Sequence, residues 1–161
     1  MLKFVFSRMV LVFFVFRLFG VVQVFAQTSD LNGTWVANIG DYTQMGNRLE
    51  MTFNNGNFES TLDGNYISRG IYTASNGRYT TQTTHIFGDN FYEIGLESRW
   101  YSQEQIRDIL VPIYRMVFTL EDANALVDYM FILETGTYSV SGNILTMKKD
   151  DEVESFSFTR K

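Results

Sequence analysis

An all-β fold, in which eight antiparallel strands close into an up-and-down barrel, is predicted by three features of the sequence. The composition favours strands, with 15 Phe, 9 Tyr and 1 Pro in 161 residues. Turn pairs such as Asn55-Gly56 and Asn76-Gly77 separate short segments in which apolar and polar residues alternate. Helical spacing is confined to one stretch, at about 100–131. Eight antiparallel strands can close on themselves, which removes exposed sheet edges.

The predicted strands form two groups, five before the helical stretch and three after it. Their bounds follow from alternation, as where Leu49, Met51 and Phe53 alternate with Glu50 and Thr52. Between them lie residues that tolerate the positive φ of tight turns. The predicted strands are 33–38, 49–53, 57–62, 66–73 and 78–86, followed by 135–140, 143–148 and 152–160.

Two short amphipathic helices are predicted as an insertion between the fifth and sixth strands. Ser102 with Gln105 is a capping-box signature, and Pro112 is expected to end or kink the helix that follows. Thr119 with Asp122 marks a second N-terminus. The apolar residues at helical spacing are Ile106, Ile109, Leu110 and Ile113 in the first helix, and Ala123, Leu126, Val127, Met130 and Phe131 in the second. Each helix therefore needs an apolar surface on which to pack.

Residues 1–26 are predicted to be a signal peptide. Lys3 and Arg8 form a positive start, an apolar run follows, and Val24-Phe25-Ala26 is typical of a cleavage site. The alternative is an uncleaved anchor, although Arg17 interrupts the apolar run. The sequence has no Cys, and therefore neither a lipoprotein attachment site nor disulfides. We expect an exported barrel domain over 27–161, periplasmic or extracellular, with no transmembrane span after cleavage.

The charge balance argues against nucleic acid as a partner. The formal net charge is −5, and it becomes −8 when Lys3, Arg8 and Arg17 are removed with the signal peptide. No Lys/Arg cluster offsets this acidity, so the surface is expected to repel phosphate backbones.

Three short stretches resemble the bacterial lipocalin-like domain family, a group of small exported calycin-type β-barrels. They are the opening Leu31–Trp35, the hairpin Gly136–Asn143 with Leu145, and the closing Phe156–Arg160. The resemblance implies that Trp35, two residues after Gly33, plugs one barrel end, and that Arg160 packs across its ring. Two features depart from the lipocalin pattern: the helices precede the last three strands, and no cystine is present. Ligand positions are therefore not transferred from the family.

The alternation also predicts which side chains face the barrel interior. Tyr66, Tyr72 and Tyr138 share a parity with Gly70 and Gly136, and we expect this parity to face inward. The apolar side chains expected to line the interior are Leu49, Met51, Phe53, Phe58, Leu145, Met147, Phe156 and Phe158. The predicted ligand-binding residues are Tyr66, Tyr72, Tyr138, Phe53, Phe58, Met51 and Trp100, with the helical insertion as a lid over the barrel mouth. The alternative is a barrel filled by its own side chains.

Enzymatic chemistry has little support in the sequence. His85 is the single His, which excludes a His-based metal cluster, and among threonines at a strand end it is interpreted as structural rather than as a general base. Glu97 could pair with Asp108 or Glu104, and Asp150–Glu152 is interpreted as a hairpin tip. We predict no enzymatic activity, no cofactor and no metal site.

Three functional hypotheses follow. The first is a barrel that binds a small apolar or amphipathic molecule. The second is a structural or interaction module with a filled barrel, whose helical segment docks on another protein through an exposed apolar patch. That patch would consist of Trp100, Tyr101, Ile106, Ile109 and Leu110. The third is an enzyme, which requires His85 or a carboxylate pair to converge in a cleft.

Overall fold

The strands and helices are seen in a computed structural model that describes residues 30–39 and 48–161. The predicted signal peptide, residues 1–26, lies outside the described residues. The strands are β1 (Gly33–Asn38), β2 (Arg48–Asn54), β3 (Asn57–Leu62), β4 (Asn65–Ser75), β5 (Arg78–Phe87), β6 (Trp100–Ser102), β7 (Leu133–Ser141), β8 (Ile144–Lys149) and β9 (Phe156–Arg160). The helices are a 3₁₀ helix (Gly88–Ile94), α1 (Gln103–Tyr114) and α2 (Leu120–Met130).

Eight of these strands close into an antiparallel barrel, which confirms the predicted fold class. The order around the barrel is β1, β2, β3, β4, β5, β7, β8 and β9, and β9 pairs back onto β1. The helical insertion lies between β5 and β7, the fifth and sixth barrel strands, as predicted. β7 pairs with residues 78–82 of β5, and the short strand β6 pairs with residues 85–87 beyond it. β6 therefore covers an edge of β5 that would otherwise be open.

Three two-residue turns confirm the hairpins expected from the sequence. Asn55, Asp63 and Asn76 have φ of 47°, 49° and 52°, and the Gly that follows each has φ of 84°, 84° and 72°. Positive φ at both central residues gives a turn whose twist matches that of the flanking strands. The last strand is shorter than predicted, because it begins at Phe156 rather than at 152.

The antiparallel connections give the barrel two different ends. The closed end holds the turns 55–56, 76–77 and 142–143, together with Asp30–Asn32 and the end of β9. The helix end holds the turn 63–64, the helical insertion and the connection 150–155.

Local signals position the insertion at the helix end. The Ser102 N–H donates to Gln105 Oε1 at 2.9 Å, and the Gln105 N–H donates to Ser102 Oγ at 3.4 Å, which completes the predicted capping box. The Asp122 N–H donates to Thr119 Oγ1 at 3.1 Å and starts α2 as predicted. α1 ends two residues after Pro112.

The apolar faces of α1 and α2 are buried in one core that is continuous with the barrel interior. Ile106, Leu110 and Val127 belong to this core and are fully buried. Tyr101 is buried as well, and an ion pair between Arg107 and Asp128 links α1 to α2. The apolar stripe proposed as a docking patch is therefore largely used in folding. None of the described helices is long and apolar enough to cross a membrane.

Two inward glycines lie where an aromatic ring from the neighbouring strand crosses the backbone. A Cβ on Gly136 would be 2.6 Å from the Tyr79 ring and 2.2 Å from the Lys148 carbonyl oxygen. A Cβ on Gly70 would be 2.8 Å from the Phe58 ring. The same packing arrangement is therefore used at Gly70 and at Gly136.

We expect Gly136→Ala to lower the free energy of unfolding by about 2–3 kcal/mol, because the new methyl group overlaps a backbone oxygen that a strand pair holds in place. Urea unfolding followed by circular dichroism measures this loss. Thr137→Ala, at the exposed neighbouring position, is the control and should change stability by less than about 0.5 kcal/mol. Equal stability of the two variants would contradict the close approach.

Candidate functional site

The closed end is sealed by Trp35. Its side chain is completely buried, and the indole N–H donates to the Leu31 carbonyl at 2.7 Å. The guanidinium carbon of Arg160 lies 4.5 Å from the centroid of the Trp35 ring, and its Nη2 donates to the carbonyls of Asp30 and Asn32 at 3.1 and 3.3 Å. Gly33 lies beneath this guanidinium group. These contacts join the first and last strands of the barrel at its closed end.

Two of the predicted ligand-binding tyrosines belong to this seal. The Tyr72 hydroxyl donates to Asn32 Oδ1 at 2.7 Å, and the Tyr138 hydroxyl donates to Asp30 Oδ1 at 2.8 Å. Burial, together with the bond to Asp30, raises the pKa of Tyr138 to about 12. The ring of Tyr72 packs edge-on against Phe53 at 4.9 Å. Both phenols therefore fix the closed end.

Met51, Phe53 and Phe58 are buried and belong to the core inside the barrel. Phe53 and Phe58 face each other across β2 and β3, with ring centroids 6.4 Å apart. Their contacts are with other core side chains, so these three predicted ligand residues are at the interior positions expected of either a lining or a filling role.

Tyr66 is on the outer face of the barrel, which corrects its predicted inward orientation. The pairing of β3 with β4 shifts from Ser60–Ser68 to Thr61–Tyr66, which leaves Ile67 as an extra residue. This bulge reverses the alternation, so that Ile67 points inward and Tyr66 is 43% exposed. The sequence gives no sign of the extra residue.

Trp100 is also outside the barrel, in contrast to its prediction as a ligand residue. It pairs with Phe87, and the two rings lie 5.0 Å apart. Tyr66 packs against both rings, and the guanidinium carbon of Arg69 lies 4.7 Å from the Trp100 ring centroid. This outer cluster fastens β6, and with it the start of α1, to the barrel wall.

The residues considered for catalysis are also on the outside. His85 pairs with Arg69 across β4 and β5, and its Nδ1 lies 3.0 Å from the Thr84 hydroxyl. Burial and the nearby Arg69 charge lower the pKa of His85. The side chains of Glu97, Glu104 and Asp108 are all exposed. Among the residues described, no three His, Asp or Glu side chains are grouped to hold a metal ion.

A polar group inside the barrel was missed by the sequence reasoning. Its members are inward-facing and buried, and they are carried by neighbouring strands. They are Ser60 on β3, Ser68 on β4, Thr81 and Thr83 on β5, Glu134 on β7 and Lys149 on β8. We call this set the interior polar group. The hydroxyls of Ser60 and Ser68 bond to each other at 2.7 Å.

The interior polar group contains a buried ion pair. Lys149 Nζ lies 3.0 Å from Glu134 Oε1, and the two side chains are 3% and 7% exposed. The same ammonium donates to Glu152 Oε1 at 3.0 Å, in the connection at the helix end. Desolvation of two charges is unfavourable, and close pairing is what offsets it. Lys149 thus ties the interior to the helix end.

Three buried oxygens lack a hydrogen-bond partner among the described residues: Thr83 Oγ1, Glu134 Oε2 and Tyr114 Oη. The side chains of Thr83 and Tyr114 are 0% and 5% exposed. Burial raises the pKa of Tyr114, so this phenol is neutral and can both donate and accept. Buried polar atoms in folded proteins are nearly always bonded, so these three are exceptions among the described residues.

The inward orientation of two members of the interior polar group, Lys149 and Glu134, could have been predicted from the alternation of residues along their strands. Leu145 and Met147 were predicted to face inward, and the same parity two residues on gives Lys149, which lies one residue beyond the predicted strand 143–148. Glu134 shares the parity of Gly136 and Tyr138 in the same way. The role of Tyr114 had no signal, because it depends on how α1 packs on the barrel.

The carboxylate of Asp150, in the connection 150–155, is hydrogen-bonded to other side chains of the protein. Arg78 donates two bonds to the Asp150 carboxylate, at 2.7 and 2.6 Å, and Thr135 donates a third at 2.6 Å. These bonds lower the pKa of Asp150 to about 2. The segment is therefore a bonded turn, in agreement with the hairpin-tip interpretation.

Comparisons with protein-family models, with curated proteins and with solved structures find no match for this chain.

Proposed function

We propose that this protein is an exported, lipocalin-like binding protein that holds a small amphipathic molecule inside its barrel, at the helix end. The observation that carries the proposal is the set of unpartnered buried oxygens of Thr83, Glu134 and Tyr114. Leaving a buried polar atom unbonded costs about 1–3 kcal/mol, and a ligand that bonds these atoms would remove that cost. Export rests on the predicted signal peptide, and the family rests on the three resembling stretches.

The architecture supports binding at this end. Trp35 and Arg160 seal the opposite end, and ligands of small barrels occupy the barrel mouth. The buried side chains at the helix end include the charged pair Glu134 and Lys149 and apolar residues of the insertion such as Leu110 and Val127. A polar head and an apolar body are the complement of such a lining. The proposal is for binding without catalysis, since His85 lies outside the barrel.

The test is a titration of the purified protein with N-phenyl-1-naphthylamine, an uncharged probe whose fluorescence rises in apolar surroundings. We expect saturable binding of one probe per chain. Met116→Ser, a polar substitution at an 83% exposed position in the α1–α2 turn, serves as a control and should bind the probe like the unaltered protein. Fluorescence that rises without saturation would count against an interior site.

A structural or protein-interaction module with a filled barrel is the second candidate. The observation that favours it is the exposed turn between α1 and α2, where Met116 and Val117 are 83% and 57% exposed and Leu120 lies beside them. This candidate predicts that the probe does not bind. It also predicts that Met116→Ser with Val117→Ser weakens association with a partner protein while leaving the melting temperature unchanged.

A further inference from the structure

We propose that the ligand held inside the barrel carries a protonated amine, bonded by Glu134, Thr83 and Tyr114. This inference rests on the proposed function and names the chemical class of its ligand. Three features of the interior support it: the kind of unpartnered atom, the positions of these atoms, and the charge around them.

The three unpartnered oxygens can accept the hydrogen bonds that an ammonium group donates. All three are oxygens, and the Glu134 carboxylate oxygen can only accept. An ammonium donates three hydrogen bonds, whereas an alcohol donates one and a carboxylate donates none. A carboxylate would in addition be repelled by Glu134. Of the common head groups, an amine therefore satisfies the most atoms.

The strand register brings two of the acceptors together. Glu134 on β7 pairs directly with Thr81 on β5, and Thr83 follows two residues later with its side chain on the same inward face. Such diagonal neighbours on one face of an antiparallel pair are about 7–8 Å apart, which one small group between them can span. Tyr114 comes from α1, which packs against β5 and belongs to the same core.

Glu134 already binds one ammonium group in this interior. Its Oε1 accepts from Lys149 at 3.0 Å, while Oε2 remains without a partner. A second ammonium on Oε2 would complete the hydrogen bonding of the carboxylate without displacing Lys149. The interior thus shows the interaction that we propose for the ligand.

The local charge also favours a cation. Two carboxylates, Glu134 and Glu152, surround the single ammonium of Lys149, which leaves one negative charge in excess. A monovalent cationic ligand neutralises the excess, and an anionic one would increase it.

A head-group series tests the proposal. Octylamine, octanol and octanoate share one apolar chain, and each is used at pH 7 to displace N-phenyl-1-naphthylamine. We expect octylamine to bind at least about ten-fold more tightly than octanol, with octanoate weakest, because a charge-assisted hydrogen bond exceeds a neutral one. The ratio of octylamine affinity to octanol affinity is the quantity compared among variants.

Three substitutions locate the site. Glu134→Gln should reduce this ratio to near one, and Thr83→Val and Tyr114→Phe should each reduce it several-fold. Tyr92→Phe, which removes an exposed hydroxyl, is the matched control and should leave the ratio unchanged. Thr83→Val and Tyr114→Phe remove hydroxyls without partners, so we expect their melting temperatures to be equal to or above that of the unaltered protein. If Glu134→Gln does not fold, the Thr83→Val and Tyr114→Phe variants still test the proposal.

The outcomes separate the two proposals. If the probe does not bind, the proposed function is wrong. If the probe binds and the three octyl compounds compete equally, the barrel binds ligands but the amine proposal is wrong. An amine preference that survives all three substitutions would also overturn the assignment, because it would place the head group elsewhere.

Discussion

Replacing Trp35 with Ala is expected to lower the free energy of unfolding by about 3–5 kcal/mol, the range for emptying the site of a buried large aromatic. Trp35 is fully buried, its indole N–H bonds to Leu31, and its ring supports Arg160. The substitution would remove all of these contacts at the position where the first and last strands meet. Single domains of this size are stable by only about 5–15 kcal/mol, so the variant should be close to unfolding.

Urea denaturation followed by circular dichroism measures this loss. Trp100→Ala is the control, because the chain has two Trp residues and Trp100 packs on the outer surface, where truncation leaves no enclosed cavity. We expect the Trp100 variant to lose less than half as much stability. A loss below about 1 kcal/mol in Trp35→Ala would show that Trp35 does not support the barrel.

Lys149→Met is expected to destabilise the protein by about 3–5 kcal/mol, through a different mechanism. The substitution keeps the apolar stem of the side chain but leaves Glu134 buried without its cation. A single buried charge is far more unfavourable than the pair or than two neutral residues. The double variant Glu134→Gln/Lys149→Met should therefore recover most of the lost stability.

The neighbouring Lys148 provides a matched control for this experiment. Its side chain is exposed on the other face of β8, so Lys148→Met should change the free energy of unfolding by less than about 0.5 kcal/mol. Thermal and urea unfolding of the four proteins form the measurement. Equal stability of the single and double variants would mean that the buried pair does not govern this part of the interior.

The parts of the fold that were predicted from the sequence depend on local interactions. The turns at 55–56 and 76–77 need only residues that accept positive φ, and the helix starts at Ser102 and Thr119 need only a side chain that accepts a backbone N–H. Such signals lie within four residues of each other. They were enough to predict eight barrel strands and the position of the insertion, although the start of the last strand was predicted four residues too early.

The features that were not predicted depend on contacts between distant residues. The bulge that turns Tyr66 outward exists because β4 must pair with β3 and with β5 at once, and its pairing shifts on both sides. β6 forms only because β5 extends beyond β7. Neither feature has a local pattern that would indicate it.

For the candidate site, residue type alone was misleading. Aromatic residues were chosen as ligand contacts, yet the hydroxyls of Tyr72 and Tyr138 are bonded within the closed end. The charged residues Glu134 and Lys149 lay just outside the predicted strands 135–140 and 143–148, although both point inward. Charged side chains are rarely buried unless paired, and the pairing becomes visible only when β7 and β8 are side by side.

The closure of the barrel also has a consequence for the order of folding. Arg160 contacts Asn32, a residue 128 positions earlier in the chain, and β9 pairs with β1 through the same region. Closing so long a loop is entropically costly, whereas the hairpins around 55–56 and 142–143 form from neighbouring residues. β9 can therefore pair with β1 only after the residues between Asn32 and Arg160 have been synthesised. Until then, β1 and β8 each present an unpaired edge, and such an edge can pair with another chain.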